Sequence, residues 1–264
     1  MTQSLGGSLI IYDGVRQDYP IESVLDCYLD LCDVINVLDC GPGDVHKDVL
    51  SKYKGKIKII KGDWYRVKGF YRYDFLPREP ISDLGTDWHL HLQGDEVLHE
   101  DCHGFVRELI ETKTWDAYLL RRWNLWTGFD KVIRTDAPIK PIDDVVLRLA
   151  RRNMSPTFNM LRDSDMMCLS GKVCWDYIDR LPIVHYGLAT DWRTRAEKVM
   201  RIQGEDFGRP SDVDQRLVAS VKDGRYHYED FPWTQHLMPL PVTHPKYSKK
   251  WMENPNRRMY DNEH

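Results

Sequence analysis

The chain has 264 residues, of which 42% are hydrophobic, and a formal net charge of −4 at pH 7. This length predicts one large domain, or one domain with an appendage, and the apolar content excludes a disordered or fibrous chain. The slight acidic excess disfavours a strongly basic nucleic-acid binder. We predict a cytoplasmic protein with reduced cysteines, because the sequence has no long apolar run, no signal-peptide pattern and no CxxC pair.

The first half of the chain alternates between short apolar runs and amphipathic segments. The pattern predicts strands at Ser8–Tyr12, Asp33–Leu38, Lys56–Ile60 and Trp88–Leu92, and helices that begin at Pro20, Val45 and Asp101. Alternation with short links predicts an α/β fold whose central sheet is mixed, mostly parallel and flanked by helices.

The second half of the chain has a less regular pattern. It predicts strands at Trp115–Trp126, Lys131–Thr135 and Pro182–Gly187, a helix at Trp192–Gln203, and either a helix or a strand at Val145–Arg152. From residue 206 proline and aromatic residues are frequent, which predicts an irregular C-terminal arm. The predicted organisation is therefore one domain over residues 1–205 and an arm over residues 206–264 that packs on it.

Acidic residues follow three of the predicted strands, at Asp13, Asp39 and Asp95. Ligands of parallel α/β sheets bind beyond the carboxyl ends of the strands, so these side chains are predicted to face one crevice. Asp95 and Glu96 end an apolar strand, and carboxylate oxygens at such a place suit Mg²⁺ or Mn²⁺ bound to a diphosphate. The alternative is that these carboxylates begin a helix, where they favour the N-terminal dipole.

One short motif points to a different chemistry. Residues 99–103 read His-Glu-Asp-Cys-His, which satisfies the H-E-x-x-H pattern of zinc proteases. In those enzymes both histidines lie on one helix and bind zinc. The motif here directly follows a predicted strand and turn, so we favour a solvated helix start over a zinc site.

The stretch Trp88–Leu98 (WHLHLQGDEVL) resembles the W-x-x-x-L-D-x-D-E-x-L signature of family 2 glycosyltransferases with the GT-A fold. Further segments are similar to those of the family and occur in the same order. They are Ile11–Gly14, Val37–Asp44 (VLDCGPGD), Gly69–Leu76 with its Arg72, and Leu181–Gly187 (LPIVHYG). In this comparison Gln93 stands where the family carries the first aspartate of its D-x-D triplet.

The resemblance implies a glycosyltransferase that uses a nucleoside-diphosphate sugar, UDP- or GDP-linked, and that is inverting and assisted by a divalent metal. Residues 1–100 would form its nucleotide-binding half and residues 101–205 its acceptor half. The implied metal ligands for Mn²⁺ or Mg²⁺ are Asp95 and His185. The implied nucleotide-binding residues are Tyr12, Asp13, Asp39, Arg72 and Gln93.

An inverting transfer needs a carboxylate that removes the proton from the acceptor hydroxyl. Asp165 and Asp163 form the best acidic pair in the acceptor half, and a helix cap or an exposed turn is the alternative reading of each. Glu205 and Asp206 are a fallback pair.

The acceptor is predicted to be a glycan or a hydroxymethylated base of nucleic acid. Basic residues are frequent in the acceptor half and in the tail, and an anionic acceptor of this kind is the alternative to solvated surface as their role. Solvated surface is the default interpretation of these charges, and Trp233 and Trp251 are candidates for stacking on a sugar or base. A second functional class stays open. Gln93 in the metal triplet also fits a non-catalytic module that binds a nucleotide-sugar.

Overall fold

A computed structural model describes residues 2–12, 14–62, 66–67, 70–71, 84–112, 114–126, 128–134, 136, 145–152, 157–158, 167–168, 174–189 and 234–254. Four of the predicted site residues lie outside these ranges: Asp13, Arg72, Asp163 and Asp165. The predicted helix at 192–203, the fallback pair at 205–206 and Trp233 also lie outside them.

The described part contains strands, three α-helices longer than one turn, and short 3-10 turns. The elements of the first half are β1 (Leu5–Ile11), α1 (Ile21–Leu31), β2 (Val34–Asp39), α2 (Lys47–Ser51), β3 (Lys58–Lys61), β4 (Arg66–Val67), β5 (Phe70–Tyr71), β6 (Trp88–Gln93), β7 (Glu96–Leu98) and α3 (His103–Thr112). The elements that follow are β8 (Ala117–Asn124), β9 (Lys131–Ile133), β10 (Val145–Arg151), β11 (Thr157–Phe158), β12 (Met167–Cys168), β13 (Trp175–His185), β14 (Leu237–Pro239) and a helical turn at Lys249–Met252.

Eight of these strands form one central sheet in the order β3-β2-β1-β6-β10-β8-β13-β7. The pairs β3–β2, β2–β1, β1–β6 and β8–β13 are parallel, whereas β10 runs antiparallel to both of its neighbours. Strand β7 returns antiparallel to the end of β13. The predicted fold class, an α/β fold with a mixed and mostly parallel central sheet, is confirmed by this topology.

Helix α1 covers one face of the parallel half of the sheet, and Tyr28 ties it to two strands. The Tyr28 hydroxyl donates to Ser8 O of β1 at 2.7 Å and accepts from Leu92 N of β6 at 2.6 Å. Its ring lies so near Gly7 that a Cβ there would stand 2.9 Å from Tyr28 Cδ1. Glycine in β1 therefore allows the helix to approach the sheet closely.

The hydrophobic core agrees with the periodicity of the sequence. Alternate residues of β1 and β6 on the α1 side, among them Leu5, Leu9 and Leu92, are fully buried, as are Val24 and Leu25 of α1. The predicted strands at β1, β2, β3, β6, β8 and β9 and the three helices are confirmed within a few residues at each end. The ambiguous segment 145–152 is a strand, β10.

Three further findings concern the C-terminal segment, the helices and the cysteines. Residues 234–254 lie against the domain, where β14 pairs with β9. No described helix combines the length and the apolar character that crossing a membrane requires. Of the five cysteines whose side chains are described, none is in a disulfide, and Cys174 is exposed rather than buried.

Candidate functional site at the carboxyl edge of the sheet

The direction of the strands brings several polar residues to one edge of the sheet. Strand β10 is antiparallel to both β6 and β8, so β6, β8 and β13 point the same way as β1 and β2. Asp39 ends β2, Asp95 follows β6 by two residues, Asn124 ends β8 and His185 ends β13. All four consequently lie at the carboxyl edge, where α/β sheets bind their ligands.

Asp95 and His185 are in direct contact at this edge. His185 Nε2 lies 3.3 Å from Asp95 Oδ2, and both residues are buried. Two backbone hydrogen bonds hold the contact, from Tyr186 N to Asp95 O at 2.7 Å and from Leu125 N to His185 O at 3.2 Å. The fold thus brings together a carboxylate that follows one strand and an imidazole that ends another strand far along the chain.

The neighbouring strand sets the tautomer of His185. Its Nδ1 lies 3.0 Å from Asn124 Oδ1, an oxygen that can only accept a hydrogen bond, so Nδ1 carries the proton. In the neutral imidazole Nε2 then presents a lone pair toward the Asp95 carboxylate. Two acceptors that face each other at 3.3 Å are suited to a proton or a cation between them.

This geometry fits a divalent ion with part of its coordination shell. A carboxylate oxygen and an imidazole nitrogen are both ligands of Mn²⁺, and a hydrogen bond to the other ring nitrogen is the usual support of a ligating histidine. Within the described ranges no group of three or more His, Cys, Asp or Glu side chains is placed to hold a metal. A diphosphate and water would have to supply the remaining ligands.

Gly187 brings the backbone against this pair. A Cβ at Gly187 would stand 2.7 Å from His185 Nε2 and still closer to Asp95 Oδ2. Real Cβ atoms essentially never approach other atoms under 3.0 Å, so a side chain there would push the two groups apart. The glycine after the histidine and tyrosine is therefore a requirement of the Asp95–His185 contact.

Glu96, which the sequence offered as a second metal carboxylate, has another role. It is fully buried and binds two buried arginines, Arg148 through two nitrogens at 2.8 Å each and Arg122 at 3.1 Å. Burial opposes its ionisation, but the two guanidinium groups prevail and hold the Glu96 pKa well below its usual range. Arg148 lies where β10 shifts its register against β8, a bulge that redirects a side chain.

Asp39 is the centre of a second cluster, on the other side of β1. His46 Nδ1 lies 2.7 Å from Asp39 Oδ1, Lys61 Nζ lies 2.6 Å from Oδ2, and Gly41 N donates to Oδ1 at 3.0 Å. Burial raises the pKa of this carboxyl, yet the hydrogen bonds from His46 and Lys61 outweigh that effect and lower it overall. His46 is itself fully buried, and no group in the described part of the chain hydrogen-bonds to its Nε2.

The two clusters are separated by one strand. Asp39 pairs in register with Ile11 of β1, and Gln93 pairs with Ile10 on its other side. Two strand spacings place Asp39 about 10 Å from the end of β6. The structure thus puts Asp39 and the Asp95–His185 pair on a shared edge without direct contact between them.

The remaining described candidates lie beside these clusters. Tyr12 is half-buried and packs against the Leu38 and Cys40 side chains that precede and follow Asp39. Gln93 is half-buried at the end of β6, and its backbone N–H donates to Glu96 Oε2 at 3.1 Å.

The H-E-x-x-H motif does not form a zinc site of the protease type. His99 has an extended backbone (φ −68°, ψ 136°) and caps a 3-10 turn, so it is not one helical turn from His103. His99 Nε2 faces Thr243 Oγ1 at 2.8 Å, whereas His103 Nε2 faces Cys27 Sγ at 3.6 Å. The expected helix start is therefore correct, but both histidines are buried or half-buried rather than solvated.

The expectation that the arginines form solvated surface is wrong for Arg122 and Arg148, which are buried with Glu96. Arg121 does lie near the surface, where it stacks between Trp123 and Tyr177. Trp251, a candidate for stacking on a ligand, instead packs edge-on against Tyr186 with 5.0 Å between ring centroids.

Sequence reasoning missed three residues of the site, namely Asn124, His46 and Lys61. Each lies far from its partner or within a loop whose path no local pattern reveals. One sign of their importance is present in the sequence, which is position: Lys61 directly follows the predicted strand Lys56–Ile60, and Asn124 lies two residues before the end of the predicted strand Trp115–Trp126.

No family model matches this chain, and no curated protein matches it. Among solved structures, TarS of S. aureus is similar, with 11% identity over 83% of this chain and 43% of that chain and a TM-score of 0.42. Its 1–349 segment in complex with UDP-GlcNAc gives 12% identity, coverages of 82% and 71% and a TM-score of 0.41.

A putative glucose-1-phosphate thymidylyltransferase from Bacillus anthracis gives 13% identity, coverages of 78% and 98% and a TM-score of 0.43. The match to the full TarS chain covers less than half of the length of that chain. All three TM-scores are below 0.5, so these proteins are ones to which this chain is similar, and no activity follows from them.

Proposed function

We propose that the protein is a glycosyltransferase that moves a sugar from a nucleoside-diphosphate donor, UDP- or GDP-linked, to an acceptor hydroxyl. The observation that carries the proposal is the Asp95–His185 contact at the carboxyl edge of the sheet, 3.3 Å long and supported by Asn124. The second support is Asp39 on the same edge, about two strand spacings away, a span that a nucleoside diphosphate bridges.

Each cluster has its part in the proposed reaction. The Asp39 carboxylate, held by His46 and Lys61, accepts a hydrogen bond from the nucleobase, and Tyr12 packs beside it. Asp95 and His185 would hold Mn²⁺ or Mg²⁺ against the diphosphate. When bound, that ion neutralises the negative charge of the leaving nucleoside diphosphate.

The transfer itself is a displacement at the anomeric carbon. The acceptor oxygen forms the new bond, the bond from that carbon to the diphosphate oxygen breaks, and a carboxylate takes the acceptor proton. Asp165 or Asp163 is proposed for that carboxylate, and Arg72 and Asp13 are proposed for the donor. The sugar, the acceptor (a glycan or a hydroxymethylated nucleic-acid base) and the inverting outcome belong to the same proposal.

A screen of nucleotide-sugars by thermal shift, with and without Mn²⁺, tests this function. Selective stabilisation by one donor follows if only the folded state binds it. Asp95→Asn should abolish donor hydrolysis and transfer, while Asp44→Asn, an exposed aspartate of the same edge, should leave both unchanged. Unaltered turnover in Asp95→Asn would disprove the proposed site.

Gln93 favours a second candidate, a non-catalytic module that binds a nucleotide-sugar. This module would bind UDP with an affinity that Mn²⁺ does not change, and it would release no sugar from any donor. Calorimetry together with a hydrolysis assay therefore separates the two candidates.

A further inference from the structure

The H-E-x-x-H motif is the docking site of the C-terminal segment. His99 Nδ1 accepts from Asp101 N at 3.3 Å, so its Nε2 carries the proton and donates to Thr243 Oγ1 at 2.8 Å. Both oxygens of Glu100 accept from the backbone N–H of Lys246, at 2.9 and 3.1 Å. The His103 ring stacks on Tyr247, with centroids 5.9 Å apart and planes 13° from parallel.

A further contact fixes the same segment to α1. Asp30 Oδ2 accepts from Tyr247 Oη at 2.7 Å and from Lys246 Nζ at 3.0 Å. Residues 243–247, here named the clasp, are thereby held on both sides by elements distant in sequence. Exposed pairs such as Lys246–Asp30 contribute little alone, but the five polar contacts and one ring stack act on a single short segment.

Docking of the clasp places His244 behind the Asp95–His185 pair. His244 Nε2 donates to Phe129 O at 2.8 Å, so its Nδ1 is an acceptor and takes the hydrogen bond of the Tyr186 hydroxyl at 2.9 Å. Tyr186 is fully buried, and Trp251 and Phe129 pack on its ring. The side chain of Tyr186 therefore has one position.

The backbone of Tyr186 is what joins His185 to Asp95. It follows His185 directly, and its N–H donates to Asp95 O at 2.7 Å. A fixed Tyr186 ring thus fixes the two groups that face each other at 3.3 Å. The motif therefore holds the clasp, His244 of the clasp holds the Tyr186 side chain, and the Tyr186 backbone holds the Asp95–His185 pair.

We propose that His244 is a positioning residue for the Asp95–His185 pair, and that the motif His99–His103 serves to hold it there. This inference rests on the proposed function for its effect on ligand binding, but its geometric part is independent of that function. Groups that support a metal ligand from behind typically change metal affinity by about 10-fold to 100-fold when they are replaced.

The test compares His244→Phe, which keeps a ring but loses both hydrogen bonds, with Tyr186→Phe, which loses only the hydroxyl. Calorimetry measures UDP binding with and without Mn²⁺. Without metal, both variants should bind UDP as tightly as the unaltered protein does. The increase in UDP affinity that Mn²⁺ causes should be at least about 10-fold smaller in both variants. His244→Gln, whose amide can accept and donate at once, should restore most of that gain.

Thr243→Val should lose part of the Mn²⁺-dependent increase in UDP affinity. Thr112→Val, which removes an exposed hydroxyl at the end of α3, should lose none of it. Amide hydrogen exchange at Tyr186 is the second readout, because its N–H is protected by Asp95 O. Exchange should accelerate in His244→Phe and return to normal in His244→Gln.

The outcomes separate the two proposals. Full Mn²⁺ dependence in His244→Phe, or unchanged protection of the Tyr186 amide, overturns the role of the clasp. If the unaltered protein binds no nucleotide but the exchange results are as expected, the clasp stands and the proposed function fails.

Discussion

Arg148 binds Glu96 through two nitrogens inside the protein, with Nε 2.8 Å from Oε2 and Nη2 2.8 Å from Oε1. Arg122 binds the same carboxylate at 3.1 Å, so among the described residues one buried carboxylate joins two buried guanidinium groups. A buried charge that loses its partner cannot regain its hydration, so this carboxylate is essential to the fold rather than to metal binding.

Glu96→Gln should therefore destabilise the protein by about 3–5 kcal/mol, because it removes the carboxylate charge that pairs with two buried guanidinium groups. The free energy of unfolding from urea titration measures this. Glu22→Gln is the matched control, since its partner Lys52 is exposed and such pairs contribute about 1 kcal/mol or less. Equal effects of the two changes would contradict the interpretation of the cluster.

The same carboxylate makes the stability of the protein depend on pH in the acid range. The Glu96 pKa is lowered in the folded state from 4.5, so its contribution is complete above that pH and is lost as the pH falls below it. Between pH 5 and pH 3, the free energy of unfolding should change less steeply with pH in Glu96→Gln than in the unaltered protein. An identical slope would show that another group dominates.

Two buried histidines of β6 make the stability of the protein depend on pH in a higher range. Burial lowers the pKa of His89 to about 4 and that of His91 to about 3, from 6.5. The unfolded chain binds both protons first, so stability is highest above pH 6.5 and falls as the pH drops toward 4. Each histidine contributes a slope of about 1.4 kcal/mol per pH unit in that window.

His89→Leu should remove one of these protons and reduce the slope of the unfolding free energy against pH by about 1.4 kcal/mol per pH unit. His89 is the more suitable of the two for this test, because neither of its ring nitrogens has a hydrogen-bond partner among the residues that the structure describes. Urea titrations at several pH values between 7 and 4 provide the measurement. A slope that does not change would mean that His89 is not buried in its neutral form.

Gly187→Ala tests how closely the backbone must approach the proposed metal pair. The added Cβ would lie 2.7 Å from His185 Nε2, so we expect the Mn²⁺-dependent part of UDP binding to fall at least about 10-fold. Gly104→Ala is the control, because a Cβ there meets nothing within 4 Å and should stabilise α3 by about 0.5–1 kcal/mol. Retained Mn²⁺ dependence in Gly187→Ala would disprove the requirement.

Asp39→Asn tests the nucleobase side of the site. The change keeps the shape but removes the charge that binds His46 and Lys61, and UDP affinity should fall at least about 10-fold with and without Mn²⁺. Asp48→Asn, an exposed residue of α2, should have no effect. Binding measured for UDP, GDP and ADP would also identify the base, and unchanged UDP affinity in Asp39→Asn would remove Asp39 from the site.

Local patterns predicted much of the sheet. The apolar runs of β1, β2 and β6 were recognised because each strand is buried on both faces, and the 3.6-residue spacing of α1 placed its buried side toward them. Segment 145–152 had no decisive period, and its place between β6 and β8 depends on partners far away in the chain. The predicted boundary at residue 205 and the residues proposed as base stay predictions.

The sequence by itself determined the order of the elements and which residues end the strands, because burial patterns repeat over a few neighbouring positions. Only the tertiary structure decided which of these residues meet. His185 and Asp95, Glu96 and Arg148, and His99 and Thr243 are pairs separated by many residues, and the direction of the strands and the docking of the C-terminal segment bring them together. The partner of a charged or hydrogen-bonding side chain is seldom its neighbour in the sequence, so its role depends on which group the fold places within about 3 Å of it.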